Sequence, residues 1–276
     1  MSAVAQLAPV RRASRTARVA VVGNGAIGST VIRELAAGAV AGAQLVAVVD
    51  NRPVVGADVP QLSLAQALET CDVIVECAGQ QMVAQHGVHV LEQGADLLVT
   101  SVGALADPLL AERLLAAGPG RLLFTSGAVG GIDLLVSATA GAPMRSVLVT
   151  TTKLPGSLVQ PWMDQQTRQR ILASREPIEV FRGGAREAAK SFPRSLNVAA
   201  TVALAVGDFD LVDVVLVADP AAELTNHLIE ADGGCGQYRF EIRNHPSPGN
   251  PRTSGIVPFA VLRSLSVLLG RPVRIV

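Results

Sequence analysis

Cysteine, lysine and net charge are scarce in this chain, and each scarcity narrows what it does. Its three cysteines (Cys71, Cys77 and Cys235) are an odd number with no Cys-x-x-Cys spacing. That argues against a disulfide framework or a zinc site and makes a reducing cytoplasm the expected compartment. Only two of the 23 basic residues are lysines, Lys153 and Lys190, so each is a position to weigh. Formal net charge is zero and charged residues make up only 17% of the chain. Neither a nucleic-acid-coating surface nor a disordered chain is built from that balance. Any preference for anions must therefore come from local sites. No apolar run reaches the ~20 residues that span a bilayer, so no membrane partner is expected. Residues 1–17 carry Arg11, Arg12 and Arg15 and no acid, but they lack the apolar core of a secretory signal. They read as a disordered leader, with a transit peptide as the alternative.

What is present is material for a core: 49% of the 276 residues are hydrophobic. From 18 to about 126, short β-branched runs alternate with helical stretches. Strands are expected over 19–22, 44–50, 71–77, 95–100 and 121–125, with helices over 26–37, 80–93 and 108–117. Strands apolar on both faces and separated by helices predict a parallel sheet covered on both sides, hence a doubly wound Rossmann-type α/β fold. After Gly127 the rhythm changes. A strand over 147–153 and helices over 161–174 and 196–206 precede strands over 212–218, 226–231 and 237–244. Their close spacing suggests antiparallel pairing and a second α+β domain for substrate and dimerisation. The breaker-rich stretch from Pro246 to Pro251 reads as a turn. Thr253 or Ser254 is then expected to cap a last helix that runs to Leu269 and returns to the first domain. The expected division is 18–127 plus 246–276 for the nucleotide-binding domain and 128–245 for the second.

The strongest motif is Gly23-Asn24-Gly25-Ala26-Ile27-Gly28. It follows a predicted strand and opens a predicted helix, and Asp50 ends the next strand 22 residues after Gly28. In such a motif Gly23 permits the tight turn, Gly25 lets backbone approach a pyrophosphate and Gly28 allows close helix–strand packing. The anion sits on the free amides of the helix N-terminus, at Ala26 and Ile27. Asp50 would hold the adenosine ribose hydroxyls and repel a 2′-phosphate, which favours NAD. Arg52 keeps NADP open.

A second glycine cluster, Ser126 to Asp133, falls where the first domain ends; it suits either a hinge or backbone laid against the nicotinamide. Among the four histidines, His86 and His89 form an H-x-x-H with no third ligand nearby, so they read as surface or helix packing rather than metal ligands. His245, beside Pro246, reads as structural. His227 starts a strand in the second domain, where a histidine facing the cleft exchanges protons near neutral pH; burial in the strand is the alternative.

Together these residues resemble the L-aspartate dehydrogenase family. The resemblance covers nearly all of 18–270. It rests on the glycine motif, Ser101-Val102-Gly103-Ala104-Leu105, the Ser126–Asp133 cluster, Thr151-Thr152-Lys153, Phe181-Arg182-Gly183, Ala185-Arg186-Glu187-Ala188, Phe192-Pro193, Asn197-Val198-Ala199-Ala200, Asn226-His227 and Asn250-Pro251-Arg252-Thr253-Ser254. It implies NAD(P)-dependent oxidative deamination of L-aspartate to iminosuccinate, a small-molecule substrate and a homodimer. It also implies His227 as the active-site histidine, with Ala128 and Asn197 near the nicotinamide. The substrate's two carboxylates ask for cations, for which Lys153, Arg182 and Arg186 are the candidates. The competing readings are a dehydrogenase of another amino or hydroxy diacid and a non-catalytic NAD(P)-binding sensor.

Overall fold

The computed structural model describes residues 15–54, 58–193, 197–248 and 250–270; most of the expected leader lies outside them. In chain order the elements are β1 (Ala17–Val22), α1 (Ala26–Ala36), β2 (Ala43–Val49), α2 (Leu64–Leu68), β3 (Val73–Glu76), α3 (Gln80–Glu92) and β4 (Asp96–Val99). A 3-10 turn (Val102–Ala106), α4 (Pro108–Ala116), β5 (Leu122–Phe124), α5 (Ile132–Gly141), β6 (Met144–Lys153), α6 (Pro155–Leu158) and α7 (Gln165–Ala173) follow. The chain then runs through β7 (Ile178–Gly184), α8 (Ala185–Ser191), α9 (Asn197–Val206), β8 (Val212–Ala218), β9 (Thr225–Gly233), β10 (Gly236–Asn244), β11 (Pro246–Ser247), β12 (Asn250–Ser254) and α10 (Val257–Leu268).

The first five strands form one sheet in the order β2-β1-β3-β4-β5, and every pair in it is parallel. Its strands are apolar on both faces because both are covered. On one face Val19, Val21, Val73, Val75 and Leu98 pack against Val31, Ile32 and Leu35 of α1 and Val261, Leu262 and Leu265 of α10. The last helix thus returns to the first sheet, as its apolar stripe predicts. On the other face Ala20, Ile74, Leu97 and Val99 meet Val83, Val90 and Leu91 of α3 and Leu110 and Leu114 of α4, in a core that continues into the second sheet. The chain leaves β1 for β2 on one side and takes up β3 on the other. The crevice outside the carboxyl ends of β1 and β3 is therefore the topological switch point where ligands bind in such sheets.

The second sheet has the order β10-β9-β6-β8-β7. It is mixed: β10, β9 and β6 pair antiparallel and β7 pairs antiparallel with β8, but β6 and β8 are parallel. Close spacing in sequence foretold only the local hairpin; β6 and β8 are joined through four helices and β7, and such a crossover allows parallel pairing. Strict period-2 burial along β6 and β9 turns Val147, Val149, Thr151 and Lys153, and likewise His227, Ile229 and Ala231, to the covered face.

Four expectations need correction. Thr253 and Ser254 do not cap the last helix: both lie in β12, and α10 starts behind Ile256 with Pro258 in its first turn. Pro at that position needs no amide partner, so a side-chain cap is dispensable. The Pro246–Pro251 stretch carries two short paired strands. The helix expected from 161 begins at Gln165, where the Asp164 carboxylate accepts the Thr167 amide at 2.8 Å. Finally β7 was not foreseen, because Glu179, Arg182 and its two terminal glycines hide the strand pattern of an edge.

Candidate active site

Two adjoining depressions lie along the carboxyl edge of the parallel sheet. The larger, about 1030 Å³, is lined by Gly23, Gly25, Asp50, Arg52, Cys77 and Met82 among others. Its floor is set by the glycine turn. Gly23 has φ +96°, and a Cβ there would meet the Cys77 carbonyl at 2.7 Å. A Cβ on Gly28 would lie 1.8 Å from the Gly23 carbonyl oxygen, so turn and helix are in contact at that point. Gly25 is different: nothing lies within 4 Å of where its Cβ would be. It is the N-cap of α1 and supplies no side-chain cap, leaving the first-turn amides of Ala26 and Ile27 without intrahelical partners. Open backbone, free amides and a cleft of this size fit a dinucleotide pyrophosphate.

Asp50 stands at the rim. Its carboxylate accepts the Asn24 amide at 2.6 Å and the Arg52 amide at 2.8 Å. Partial burial works to raise its pKa, but those two amides and the Arg52 guanidinium, 3.5 Å away, lower it on balance. It is thus held as an anion with lone pairs left for hydroxyl donors. His86, expected as surface or helix packing, lines this same cleft from α3.

The smaller depression, about 70 Å³, is lined by Ile27, Ala128, Lys153, Asn197, His227 and Arg252 among others. Ile27 belongs to the glycine motif and His227 to the second sheet, so the two halves of the chain meet here. His227 is 1% exposed, and its Nδ1 lies 2.9 Å from the Thr151 hydroxyl. Burial first, and the nearby Lys153 charge second, push its pKa down to about 3. Lys153 is itself buried, donates to the Arg252 carbonyl at 3.1 Å, and is lowered by desolvation to about 8. Asn197 opens α9 and its Oδ1 accepts the Gly103 amide at 3.0 Å; the partner comes from the 3-10 turn that follows β4 and not from local backbone. The Ala128 carbonyl accepts from the Asn244 side chain at 2.8 Å.

Arg182 and Arg186 do not line this depression. Arg182 pairs with Glu179 at 2.6 Å on the edge strand β7. Arg186 pairs with Asp210 at 2.7 Å, donates to the Ala106 carbonyl and lies over the Phe209 ring. Three residues without a foreseen role join the site. Thr151 and Arg252 were visible only as parts of longer blocks. Glu76 carried a usable signal, a carboxylate closing the apolar run Val73-Ile74-Val75. It is fully buried at the carboxyl end of β3 and accepts five hydrogen bonds, from the amides of Ala78, Gly79, Thr100 and Ser101 and the Ser101 hydroxyl. Desolvation outweighs those bonds and raises its pKa.

Comparison with known proteins agrees with this geometry. Residues 133–268 match the family model "Aspartate dehydrogenase, C-terminal", and residues 23–119 match "Homoserine dehydrogenase, NAD binding domain". The chain is 37% identical to L-aspartate dehydrogenase 2 of Bordetella pertussis over 93% of its own length and 98% of that protein. It is 42% identical to L-aspartate dehydrogenase of Ralstonia pickettii over 70% of its length and 73% of that protein. The crystal structure of aspartate dehydrogenase from Thermotoga maritima superposes with a TM-score of 0.74 at 28% identity, covering 94% of this chain and 99% of that one. With the sheet order, the glycine turn and the His227 cleft all in place, the chain belongs to the L-aspartate dehydrogenase family.

Proposed function

We propose that the protein oxidises L-aspartate to iminosuccinate with NAD, and runs the reverse reductive amination with oxaloacetate and ammonia. The observation that carries this reading is the convergence of Ala128, Asn197, His227 and Lys153 on one cleft beside the glycine turn. The division of labour follows the predicted domains, 18–127 plus 246–276 holding the nucleotide and 128–245 the substrate.

Gly23, Gly25 and Gly28 form the bed for the pyrophosphate, with the amides of Ala26 and Ile27 as donors, and Asp50 accepts from the adenosine ribose. A carboxylate there disfavours a 2′-phosphate, so NAD is preferred over NADP. Ala128 and Asn197 bound the nicotinamide pocket. When bound, the nicotinamide supplies the acceptor for the hydride on the substrate Cα.

The substrate enters as an ammonium with two carboxylates. Lys153 binds one carboxylate as an ammonium ion, and Arg252 lies on the same cleft for the other. His227 is neutral at physiological pH, so its ring can take a proton from the substrate ammonium. The freed nitrogen lone pair then forms the C=N bond as hydride leaves Cα, and proton, hydride and charge balance. The incoming carboxylates offset the Lys153 charge and raise the proton affinity of the imidazole from its value in the empty cleft. Water addition to the imine then gives oxaloacetate and ammonia.

The uncovered face of the second sheet, including Leu148, Thr150 and Leu228, is only half-buried, which supports a homodimer joined through it; sedimentation of the purified protein tests this. The activity is tested by following reduced-nicotinamide absorbance with L-aspartate and each cofactor, and in reverse with oxaloacetate and ammonia. Turnover with aspartate is expected, faster with NAD. Absence of turnover in both directions refutes the assignment.

A further inference from the structure

We propose that Thr151 is a positioning residue which keeps the His227 proton on Nδ1, so that Nε2 presents its lone pair to the substrate. The inference rests on the reading of His227 as the proton acceptor. Three observations carry it.

First, register places the pair. Thr151 on β6 lies directly opposite His227 on β9, and period-2 alternation turns both to the covered face. Their contact is therefore fixed by the sheet ladder and not by a loop. Secondly, both side chains are buried, Thr151 at 0% and His227 at 1% exposure. No bulk water is there to substitute for the hydroxyl, and a buried imidazole N–H without an acceptor is costly. Thirdly, the 2.9 Å contact uses Nδ1, which leaves Nε2 as the nitrogen free to meet substrate.

The chemistry follows from what a hydroxyl is. As an acceptor it bonds Nδ1–H both when the ring is neutral and when it is an imidazolium. Proton transfer to Nε2 therefore keeps the Thr151 bond in place and strengthens it modestly, and the ring does not have to reorient between steps. A carboxylate in the same place would stabilise the imidazolium strongly and slow its return to the base form; an uncharged hydroxyl orients the ring without that effect. The charged residues that line the same depression are Lys153, two residues along on β6, and Arg252 on β12. The neighbour of His227 across β10 is the apolar Ile242. The Lys153 charge opposes protonation, so an oriented lone pair matters more here than added basicity.

The test is the imidazole ¹⁵N spectrum of histidine-labelled wild-type protein, in which only four histidines need assignment, together with kinetics of T151V, T151S and H227A. The wild-type His227 is expected to carry its neutral proton on Nδ1. T151V should move that proton to Nε2 and lower kcat about tenfold, as loss of one buried hydrogen bond implies, with the KM for aspartate within about twofold of wild type. The acid limb of its pH profile should move to lower pH, because the imidazolium has lost its acceptor. T151S should recover both tautomer and rate. A wild-type proton on Nε2, or a T151V enzyme with wild-type kcat and unchanged tautomer, overturns the proposal even if H227A is inactive. If H227A itself turns over at the wild-type rate, the base assignment fails and this inference with it.

Discussion

Lys153 Nζ donates to the Arg252 carbonyl at 3.1 Å, tying the end of β6 to the returning strand β12. The bond spans 99 positions of sequence and leaves a buried ammonium beside the His227 ring. The charge is held there at a cost in stability, which makes it separable from folding.

Lys153→Met should accordingly be more stable and less active. A fall in pKa from 10.5 to about 8 corresponds to roughly 3 kcal/mol at 1.36 kcal/mol for each pH unit. Subtracting about 1 kcal/mol for the orphaned Arg252 carbonyl leaves a gain of ~2 kcal/mol near neutral pH. The sign with pH is definite. Below pH 8 both folded and unfolded wild-type chains hold the proton and the penalty is fully present. Between about 8 and 10.5 the unfolded chain holds more protons, so wild-type stability rises with pH and the advantage of the variant shrinks. Urea titrations at pH 7 and pH 10 measure this. In the same variant the KM for aspartate should rise at least tenfold, as loss of a charged hydrogen bond implies. In the wild type it should climb above pH 8; a flat KM from pH 7 to 9.5 would remove Lys153 from substrate binding.

Asp50→Ala separates the cofactors. Loss of an anionic acceptor for ribose hydroxyls should weaken NAD by about tenfold. NADP should lose less, or bind better, because Arg52 is then released from its 3.5 Å pairing with the carboxylate. Fluorescence titration with both reduced cofactors reads the ratio, and equal losses would show that Asp50 only supports the Asn24 and Arg52 amides.

The glycines of the motif should divide by mechanism. Gly25→Ala meets nothing within 4 Å, so its melting temperature should stay within a few degrees of wild type while cofactor affinity falls. Gly28→Ala places a methyl 1.8 Å from the Gly23 carbonyl, so strand and helix must part and stability itself should drop by about 2–3 kcal/mol. Calorimetry with and without cofactor distinguishes the two; a Gly25→Ala protein with normal affinity would mean that the pyrophosphate lies elsewhere.

Glu76→Ala should be among the most damaging changes outside the substrate cleft. It strands five donors at the ends of β3 and β4, a loss of about 3 kcal/mol or more. Glu76→Gln keeps the shape but turns an amide group toward two or three of those donors, and should recover less than half of the loss. Chemical denaturation of both variants checks the order.

Much of the fold was legible in sequence because its first half repeats one physical unit. Short runs apolar on both faces have only one stable use, as central strands of a covered parallel sheet. A glycine-turn motif between such a strand and a helix defines its own geometry. Harder to read were β7, whose charged residues and glycines belong to a sheet edge, and β12, whose Thr253 and Ser254 look like helix caps but pair as a strand. Local pattern does not distinguish those uses, since the partner strand is what decides them.

By itself the sequence determined the proposed nucleotide half of the site, because the geometry of Gly23, Gly25, Gly28 and Asp50 is set by backbone conformation and reach within one βαβ unit. Resemblance to the family added His227 and Asn197, and Lys153 stood only as one of three candidate cations beside Arg182 and Arg186. Only the tertiary structure decided where His227, Asn197 and Lys153 sit and what holds them. Asn197 is held by Gly103 across 94 positions, and Thr151 meets His227 through sheet register 76 positions away. Lys153 enters the cleft while Arg182 and Arg186 are drawn off to Glu179 and Asp210. Three basic side chains look alike in sequence; burial and the nearest carboxylate separate them.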